Sequence, residues 1–170
     1  IRRPPRSTRK ESSAASDVYK RQERLIGICD EIIDRGLNIK WQTPNGIRAS
    51  VTDREMLSKM GASGCLHITL APETGSERVL KEVIEKGKDF DLTQLKDCGA
   101  LAHDLGLKVA AYFIIGLPGE TRTEVMETIK YAKELAKCGV DEVAFGLFIP
   151  LPGTCLLYTS PSPRDGLLSR

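Results

Sequence analysis

The sequence repeats one pattern four times: an amphipathic helical segment, a glycine and then a short apolar segment. The last repeat is the clearest, because Thr121 and Glu124 have the spacing of a capping box at a helix start. Gly139 has the position of a C-terminal cap, and the apolar run 143–149 follows it. Helices that alternate with strands in this way predict βαβ units, and hence a parallel sheet with right-handed crossovers.

The other three repeats have similar start and stop signals. The run 109–115 is apolar throughout, as expected for a strand that is buried on both faces. These units predict an α/β fold, and they fit either half of a TIM-type barrel or one wing of a doubly wound sheet. The predicted helices cover 24–35, 52–60, a segment opened by Thr74 with Glu77, 91–105 and 121–138, and the predicted strands cover 38–42, 65–70, 109–115 and 143–149.

The two ends of the chain lack this periodicity. Residues 12–22 resemble the translation of the transposase adapter that is used in short-read sequencing libraries, and residues 155–165 resemble the translated opposite adapter. We therefore expect an artefactual disordered tail at 1–22, one core domain at 23–154 and a second artefactual tail at 155–170, and we leave both tails out of the fold argument.

Charge and cysteine content exclude several classes of protein. The two tails hold 9 of the 25 basic residues, so the net charge of +2 gives no support to a nucleic-acid partner. No apolar run approaches the ~20 residues of a membrane span. The odd number of cysteines and the lack of a CxxC spacing argue against a disulfide framework or a zinc site, and they suit a reducing cytoplasm. The cysteines are Cys29, Cys65, Cys98, Cys138 and Cys155.

Ligands of parallel α/β proteins bind at the carboxyl ends of the strands, and here the loops that follow the strands carry the unusual residues. Arg48 is a candidate guanidinium clamp for a ligand carboxylate, although an ordinary surface arginine is the simpler interpretation. The carboxylate of Glu73 can accept from ligand hydroxyl or ammonium groups, or it can stabilise a helix start.

Two glycine-containing segments are further candidates. Gly75 and Ser76 would let a ligand approach backbone N–H groups at a helix start, or they form only a capping loop. The segment Gly116–Glu120 predicts a rigid turn that could bind a phosphate, although neither a Walker nor a GxGxxG pattern occurs. The residues alone give neither a nucleophile–base pair nor a metal site.

Taken together, these loops resemble those of the radical S-adenosylmethionine (radical SAM) enzymes. The similarity covers nearly all of 23–154, and it is greatest to the subgroup that often carries an upstream cobalamin-binding domain. The segments that carry the resemblance are Asn45-Gly46-Ile47-Arg48, Ala71-Pro72-Glu73-Thr74-Gly75-Ser76, Lys86-Gly87, Gly116-Leu117-Pro118-Gly119-Glu120 and Pro150-Leu151-Pro152-Gly153-Thr154.

The resemblance implies a partial TIM-type (β/α)6 barrel with about four parallel strands and flanking helices, which would be roughly its third to sixth strands. It also implies a [4Fe–4S] cluster that reduces SAM to a 5′-deoxyadenosyl radical, and a protein reductant such as flavodoxin or ferredoxin. Cobalamin is a further candidate cofactor, and the expected location is the cytoplasm.

The resemblance assigns cofactor contacts residue by residue. Glu73 and Ser76 match positions that contact the ribose or methionine part of SAM, and Arg48 matches an arginine near its carboxylate. The loop after the fifth barrel strand lines the SAM site, and the end of the sixth lies by the adenine. The assigned residues are Arg48, Glu73, Gly75, Ser76, Gly116, Pro118 and Leu147.

One departure bears on activity. The family holds its cluster with a CxxxCxxC motif, and this sequence contains no such spacing. We therefore expect a truncated piece of an enzyme that is inactive as given. The alternatives are a relative of the tRNA-modifying methylthiotransferases, an unrelated TIM-barrel enzyme that binds phosphate, and an inert scaffold fragment.

Overall fold

The structure is a computed structural model, and it describes residues 11–84 and 90–150, with side chains from residue 22 onward. The tail predicted at 155–170, residues 1–10 of the other tail, and the matched segments 86–87 and 151–154 lie outside the described residues.

Four strands form one sheet in the order β1-β2-β3-β4, and every neighbouring pair is parallel. The α/β class with parallel strands and flanking helices is thus confirmed. The same order occurs in a barrel and in one half of a doubly wound sheet, so barrel closure stays a prediction. The elements are α1 (Glu11–Asp34), β1 (Trp41–Thr43), α2 (Arg54–Ala62), β2 (Cys65–Glu73), α3 (Leu92–Asp104), β3 (Lys108–Ile115), α4 (Arg122–Lys137) and β4 (Glu142–Leu147), with a 3-10 turn at Ala49–Val51 and a π-helical turn at Val79–Val83.

The core lies between the helices and one face of the sheet. Residues paired across parallel strands share a face, so Ile68 and Val109 lie on the same side, and both are fully buried. All four helices contribute to this cluster, and burial of each large apolar side chain stabilises the fold by about 1.5–3 kcal/mol. Cys29, Cys65 and Cys98 are small buried members of the core. No described helix is long and apolar enough to cross a membrane.

Side-chain caps set the helix starts, and one of them differs from the prediction. Asp91 caps α3 by accepting from the Thr93 N–H at 2.7 Å, as its position predicts. The prediction that Thr52 caps α2 is wrong: the cap is Asp53, which accepts from the Met56 N–H at 2.8 Å. Aspartate is the stronger N-cap, and the Thr52 hydroxyl donates instead to the Arg48 carbonyl at 2.8 Å.

The first helix is longer than predicted. It begins at Glu11 rather than near Arg24, so the prediction of a disordered tail at 1–22 is wrong for 11–22. No glycine or proline occurs between Glu11 and Gly27, and a nucleated helix propagates through such a segment because each added residue gains a backbone hydrogen bond.

Strand β4 pairs only with β3 among the described residues, and it leaves apolar side chains in solvent. The exposed fraction is 74% at Leu147 and 71% at Ile149, just after the strand. An apolar strand with an unpaired edge is a site for association between chains.

We expect Ile149→Lys to reduce concentration-dependent self-association, because a charge at this edge opposes pairing with a second strand. Light scattering across a concentration series measures the effect. Met126→Lys is the control, since Met126 is 56% exposed but lies on α4, whose backbone hydrogen bonds are satisfied within the helix. Equal reduction by both variants would attribute association to general hydrophobicity rather than to the strand edge.

Candidate functional site

Glu73 ends β2 in an unusual backbone conformation. Its φ of 65° lies in the left-handed region, which no other described non-glycine residue adopts. The ladder between β2 and β3 also shifts register between Leu70 and Glu73, where Glu73 pairs with Phe113. Such irregularities re-aim side chains at the ends of strands and are frequent beside functional sites.

An ion pair joins the segment after β2 to the segment after β3. Arg78 Nε donates to Glu124 Oε1 at 2.6 Å, and Arg78 Nη2 donates to Glu124 Oε2 at 2.9 Å. The same Nη2 also donates to the Gly119 carbonyl at 2.9 Å. One guanidinium therefore holds the turn after β3 and the start of α4 against the segment that follows Glu73.

The Glu124 carboxylate pairs with Arg78 and also caps the start of α4. It completes the predicted capping box, since the Thr121 N–H and hydroxyl each donate to Oε2 at 2.7 Å. The residue is only 7% exposed. Hydrogen bonding from Arg78, and then from Thr121, lowers the pKa of the Glu124 carboxyl to about 2.

Threonine hydroxyls fix Gly75 and Ser76 against α4. The Gly75 N–H donates to Thr128 Oγ1 at 2.9 Å, and the Ser76 N–H donates to Thr74 Oγ1 at 3.2 Å. Thr74 and Thr128 are buried and share a hydrogen bond of 2.9 Å. The expectation that these two N–H groups face a ligand is therefore wrong, because buried side chains already accept from both.

The backbone at Gly75 lies so close to α4 that only glycine fits at this position. A Cβ at this position would lie 2.7 Å from Tyr131 Cβ and 2.8 Å from Thr128 Cα. The helix predicted to open at Thr74 with Glu77 is also different, because this segment forms the π-helical turn Val79–Val83. Gly75 and Ser76 thus pack the loop onto α4, and their contact with SAM stays a prediction.

The turn after β3 is filled by its own carboxylate. Glu120 Oε2 accepts from the Gly116 N–H at 2.7 Å and from the Leu117 N–H at 3.2 Å. Gly116 has a φ of 81°, and the half-buried Pro118 lies inside the turn. The predicted phosphate-type site does not fit, because a phosphate would need the amides that Glu120 occupies.

Arg48 lies in the loop after β1. It is exposed, and it borders a cavity of about 340 Å³ between the loop after β1 and the start of α3. Among the residues assigned to the cofactor, only Arg48 lines this cavity. Leu147 ends β4 beside Ile115 of β3, so Leu147 and the Gly116 turn follow neighbouring strands. Glu73, Gly116 and Leu147 thus lie at the carboxyl ends of β2, β3 and β4, and Arg48 lies in the loop after β1, where it lines the cavity.

The described residues do not fit a [4Fe–4S] cluster. They contain no group of three or more Cys, His, Asp or Glu side chains that could hold a metal ion. Burial raises the pKa of the Cys98 thiol to about 11 and also raises that of Cys65, so both stay protonated, whereas cluster ligands are thiolates.

Sequence reasoning identified Glu124 only as a helix cap and did not assign Arg78 or Thr128. Arg78 and Glu124 are 46 positions apart, so no local spacing reveals their ion pair. The signal that was available is the capping box itself, because a buried carboxylate at a helix start needs further donors.

Comparison with known proteins finds one matching family and several similar enzymes. The family model of the radical SAM superfamily matches residues 14–132. An uncharacterized methyltransferase of Pyrococcus horikoshii is 34% identical over 135 residues, which are 79% of this chain and 28% of that protein. The cytidylyl-2-hydroxyethylphosphonate methyltransferase of Streptomyces wedmorensis is 34% identical over 127 residues, or 71% of this chain and 23% of that protein.

A solved structure shares the fold. The radical SAM methyltransferase TsrM of Kitasatospora setae, with cobalamin and a [4Fe–4S] cluster bound, superposes with a TM-score of 0.63 at 18% identity. The match covers 74% of this chain and 25% of TsrM. The chain thus spans about a quarter of the length of the curated relatives it matches.

We expect Gly75→Ala to lower the free energy of unfolding by about 1–3 kcal/mol, because the added methyl group collides with α4. Chemical denaturation measures the change. Gly27→Ala is the control, since nothing lies within 4 Å of a Cβ there and alanine in a helix interior should stabilise by about 0.5–1 kcal/mol. Stabilisation by both variants would contradict the close packing of Gly75.

We expect Glu124→Gln to lower stability at neutral pH, and we expect the deficit to shrink in acid. The folded-state pKa is depressed, so the charged carboxylate stabilises the fold above its ordinary value of 4.5, and this contribution is lost as the pH falls towards about 2. Urea denaturation from pH 7 to pH 2 measures it. The exposed Glu127, on the same helix, provides the control variant Glu127→Gln; a constant deficit across that range would refute the role of the Glu124 charge.

Proposed function

The chain belongs to the radical SAM superfamily, and we propose that the protein containing it cleaves SAM reductively to a 5′-deoxyadenosyl radical. One observation supports this proposal at the level of individual residues. The segments that carry the family resemblance after β2 and after β3 lie at one edge of the sheet, where Arg78 joins them through Glu124 and the Gly119 carbonyl.

In this proposal, the chain's own residues bind and orient SAM. The Glu73 carboxylate accepts from ribose hydroxyls or from the methionine ammonium group, and the loop at Ser76, which packs onto α4, holds Glu73 in place. The turn at Gly116 and Pro118 shapes the wall beside it. Leu147, which is 74% exposed, offers an apolar surface to the adenine, and Arg48 pairs with the carboxylate.

The cluster ligands would come from another part of the whole protein, because the described residues do not hold a cluster. It follows that the chain by itself is inactive in SAM cleavage. The tails at 1–22 and 155–170 remain, in this proposal, translated library adapters joined to a piece of the enzyme.

A methyltransferase is the reaction class that the comparisons favour. Two relatives that are 34% identical are named as methyltransferases, and TsrM binds cobalamin. We therefore propose cobalamin as an additional cofactor, a flavodoxin or ferredoxin as the reductant, and the cytoplasm as the location. A relative of the tRNA-modifying methylthiotransferases would carry an added RNA-binding domain in place of the cobalamin domain.

The first test is the source DNA. Sequencing outward from the codon of Glu23 should find an in-frame CxxxCxxC some tens of codons upstream, and adapter sequence in place of genomic sequence at 1–22. An upstream reading frame without a cysteine triad would refute the proposal.

The second test uses the chain and the extended protein side by side. After anaerobic reconstitution with iron and sulfide, we expect the extended protein to contain a cluster and to form 5′-deoxyadenosine from SAM with dithionite. The 170-residue chain should retain neither iron nor activity. In the extended protein, Glu73→Gln should raise the Kd for SAM by about tenfold, the effect of losing one charge-assisted hydrogen bond. The control Glu77→Gln alters an exposed carboxylate that pairs with Lys81, and an equal loss in both would refute the role of Glu73.

A further inference from the structure

Glu73 lies at the centre of a three-residue turn. The Thr74 N–H donates to the Pro72 carbonyl at 2.9 Å, and the φ of Glu73 between them is 65°. A hydrogen bond of this span with a positive φ at its centre defines the rare and strained form of the γ-turn. A residue with a side chain persists in such a conformation only where the surrounding structure holds it there. The contacts that hold this turn therefore determine the direction in which the Glu73 carboxylate points.

Thr128 of α4 holds the two residues that follow Glu73. Thr128 Oγ1 accepts from the Gly75 N–H at 2.9 Å and lies 2.9 Å from Thr74 Oγ1. The Thr128 hydroxyl donates its single proton to the Glu124 carbonyl at 3.0 Å, so the Thr74 hydroxyl is the donor to Thr128. Thr74 and Thr128 are both 0% exposed, and solvent therefore does not compete for these bonds.

Arg78 holds the far end of the same loop. It binds the Glu124 carboxylate through Nε and Nη2, and the Ser76 hydroxyl donates to Glu124 Oε1 at 3.4 Å. Glu124 and Thr128 are one helical turn apart on α4. The loop after Glu73 is thus attached to one helix face at two successive points, which fixes the turn from the side that follows it.

We infer that Thr128 and Arg78 are positioning residues, which hold Glu73 in its γ-turn and so aim its carboxylate at the ligand without contacting the ligand themselves. This inference rests on the proposed function, in which Glu73 accepts from hydroxyl or ammonium groups of SAM. None of the residues assigned to the cofactor lies on α4, so the effect of Thr128 on binding passes through the loop that it holds. Removing either contact leaves the carboxylate present but wrongly directed.

The first test measures the backbone at Glu73 without any ligand, by NMR of the full 15N-labelled chain. The amide and α protons of one residue are closer at positive φ than at negative φ, so Glu73 should give a strong intraresidue NOE. Thr128→Val keeps the shape of the side chain but removes the acceptor, and it should weaken this NOE. Thr128→Ser keeps the hydroxyl and should preserve the NOE, and Thr123→Val is the matched control at an exposed threonine of α4.

A second variant keeps the test decisive if Thr128→Val does not fold. The Arg78 side chain is 42% exposed, so Arg78→Gln should fold, and it should also weaken the Glu73 NOE. Arg122→Gln removes the same charge from an exposed position at the start of α4 and should leave the NOE unchanged.

The second test measures SAM binding by the extended protein. Thr128→Val and Arg78→Gln should each raise the Kd for SAM by about tenfold, as Glu73→Gln does, because each misplaces the same charge-assisted hydrogen bond. In the Glu73→Gln background neither variant should raise the Kd further, because the carboxylate that they position is already absent. A general loss of structure would instead multiply with the effect of Glu73→Gln.

Three results would overturn the inference. The Glu73 NOE could persist in both Thr128→Val and Arg78→Gln, the losses of affinity could multiply in the Glu73→Gln background, or Thr128→Ser could raise the Kd as much as Thr128→Val. A weakened NOE in a protein whose extended form does not bind SAM would support the positioning of Glu73 and contradict only the proposed function.

Discussion

The ion pair between Arg78 and Glu124 organises the carboxyl edge of the sheet. A carboxylate that is 7% exposed is costly unless its oxygens are fully hydrogen-bonded, and here Arg78 and Thr121 supply that compensation. Because Arg78 also holds the Gly119 carbonyl, the segment after β2 and the turn after β3 are fixed relative to each other. Neither loop can shift without breaking charge-assisted hydrogen bonds, which are the strongest in proteins.

Helix α4 is the common support for this edge. Glu124 lies in its first turn, and one turn later Thr128 accepts from Gly75 and contacts Thr74. The phenol ring of Tyr131 packs edge-on against Phe113 of β3, and its hydroxyl donates to the Leu92 carbonyl of α3. One helix face therefore connects the candidate site to the core, so that packing errors in the core would be transmitted to the site.

The sequence was sufficient to predict features that depend on local spacing. The capping box of α4, the Asp91 cap and the alternation of helices and strands all arise within a few residues, and the structure confirms them. The choice between two adjacent caps was missed although it is local: Asp53 rather than Thr52 caps α2, because aspartate is the stronger N-cap. Features that depend on distant contacts were also missed, such as the hydrogen bond from the Gly75 N–H to Thr128 of α4. Neither the Arg78–Glu124 pair nor the cavity between Arg48 and Asp91 follows from local pattern, because each joins residues more than forty positions apart.

The Glu120 carboxylate in the turn after β3 acts as a tethered competitor. A group attached to the same chain faces the Gly116 and Leu117 amides at an effective concentration far above that of any free metabolite. A free phosphate or nucleotide would have to displace it and would also be repelled by its charge. The turn therefore disfavours phosphate groups because its own carboxylate already occupies these two amides.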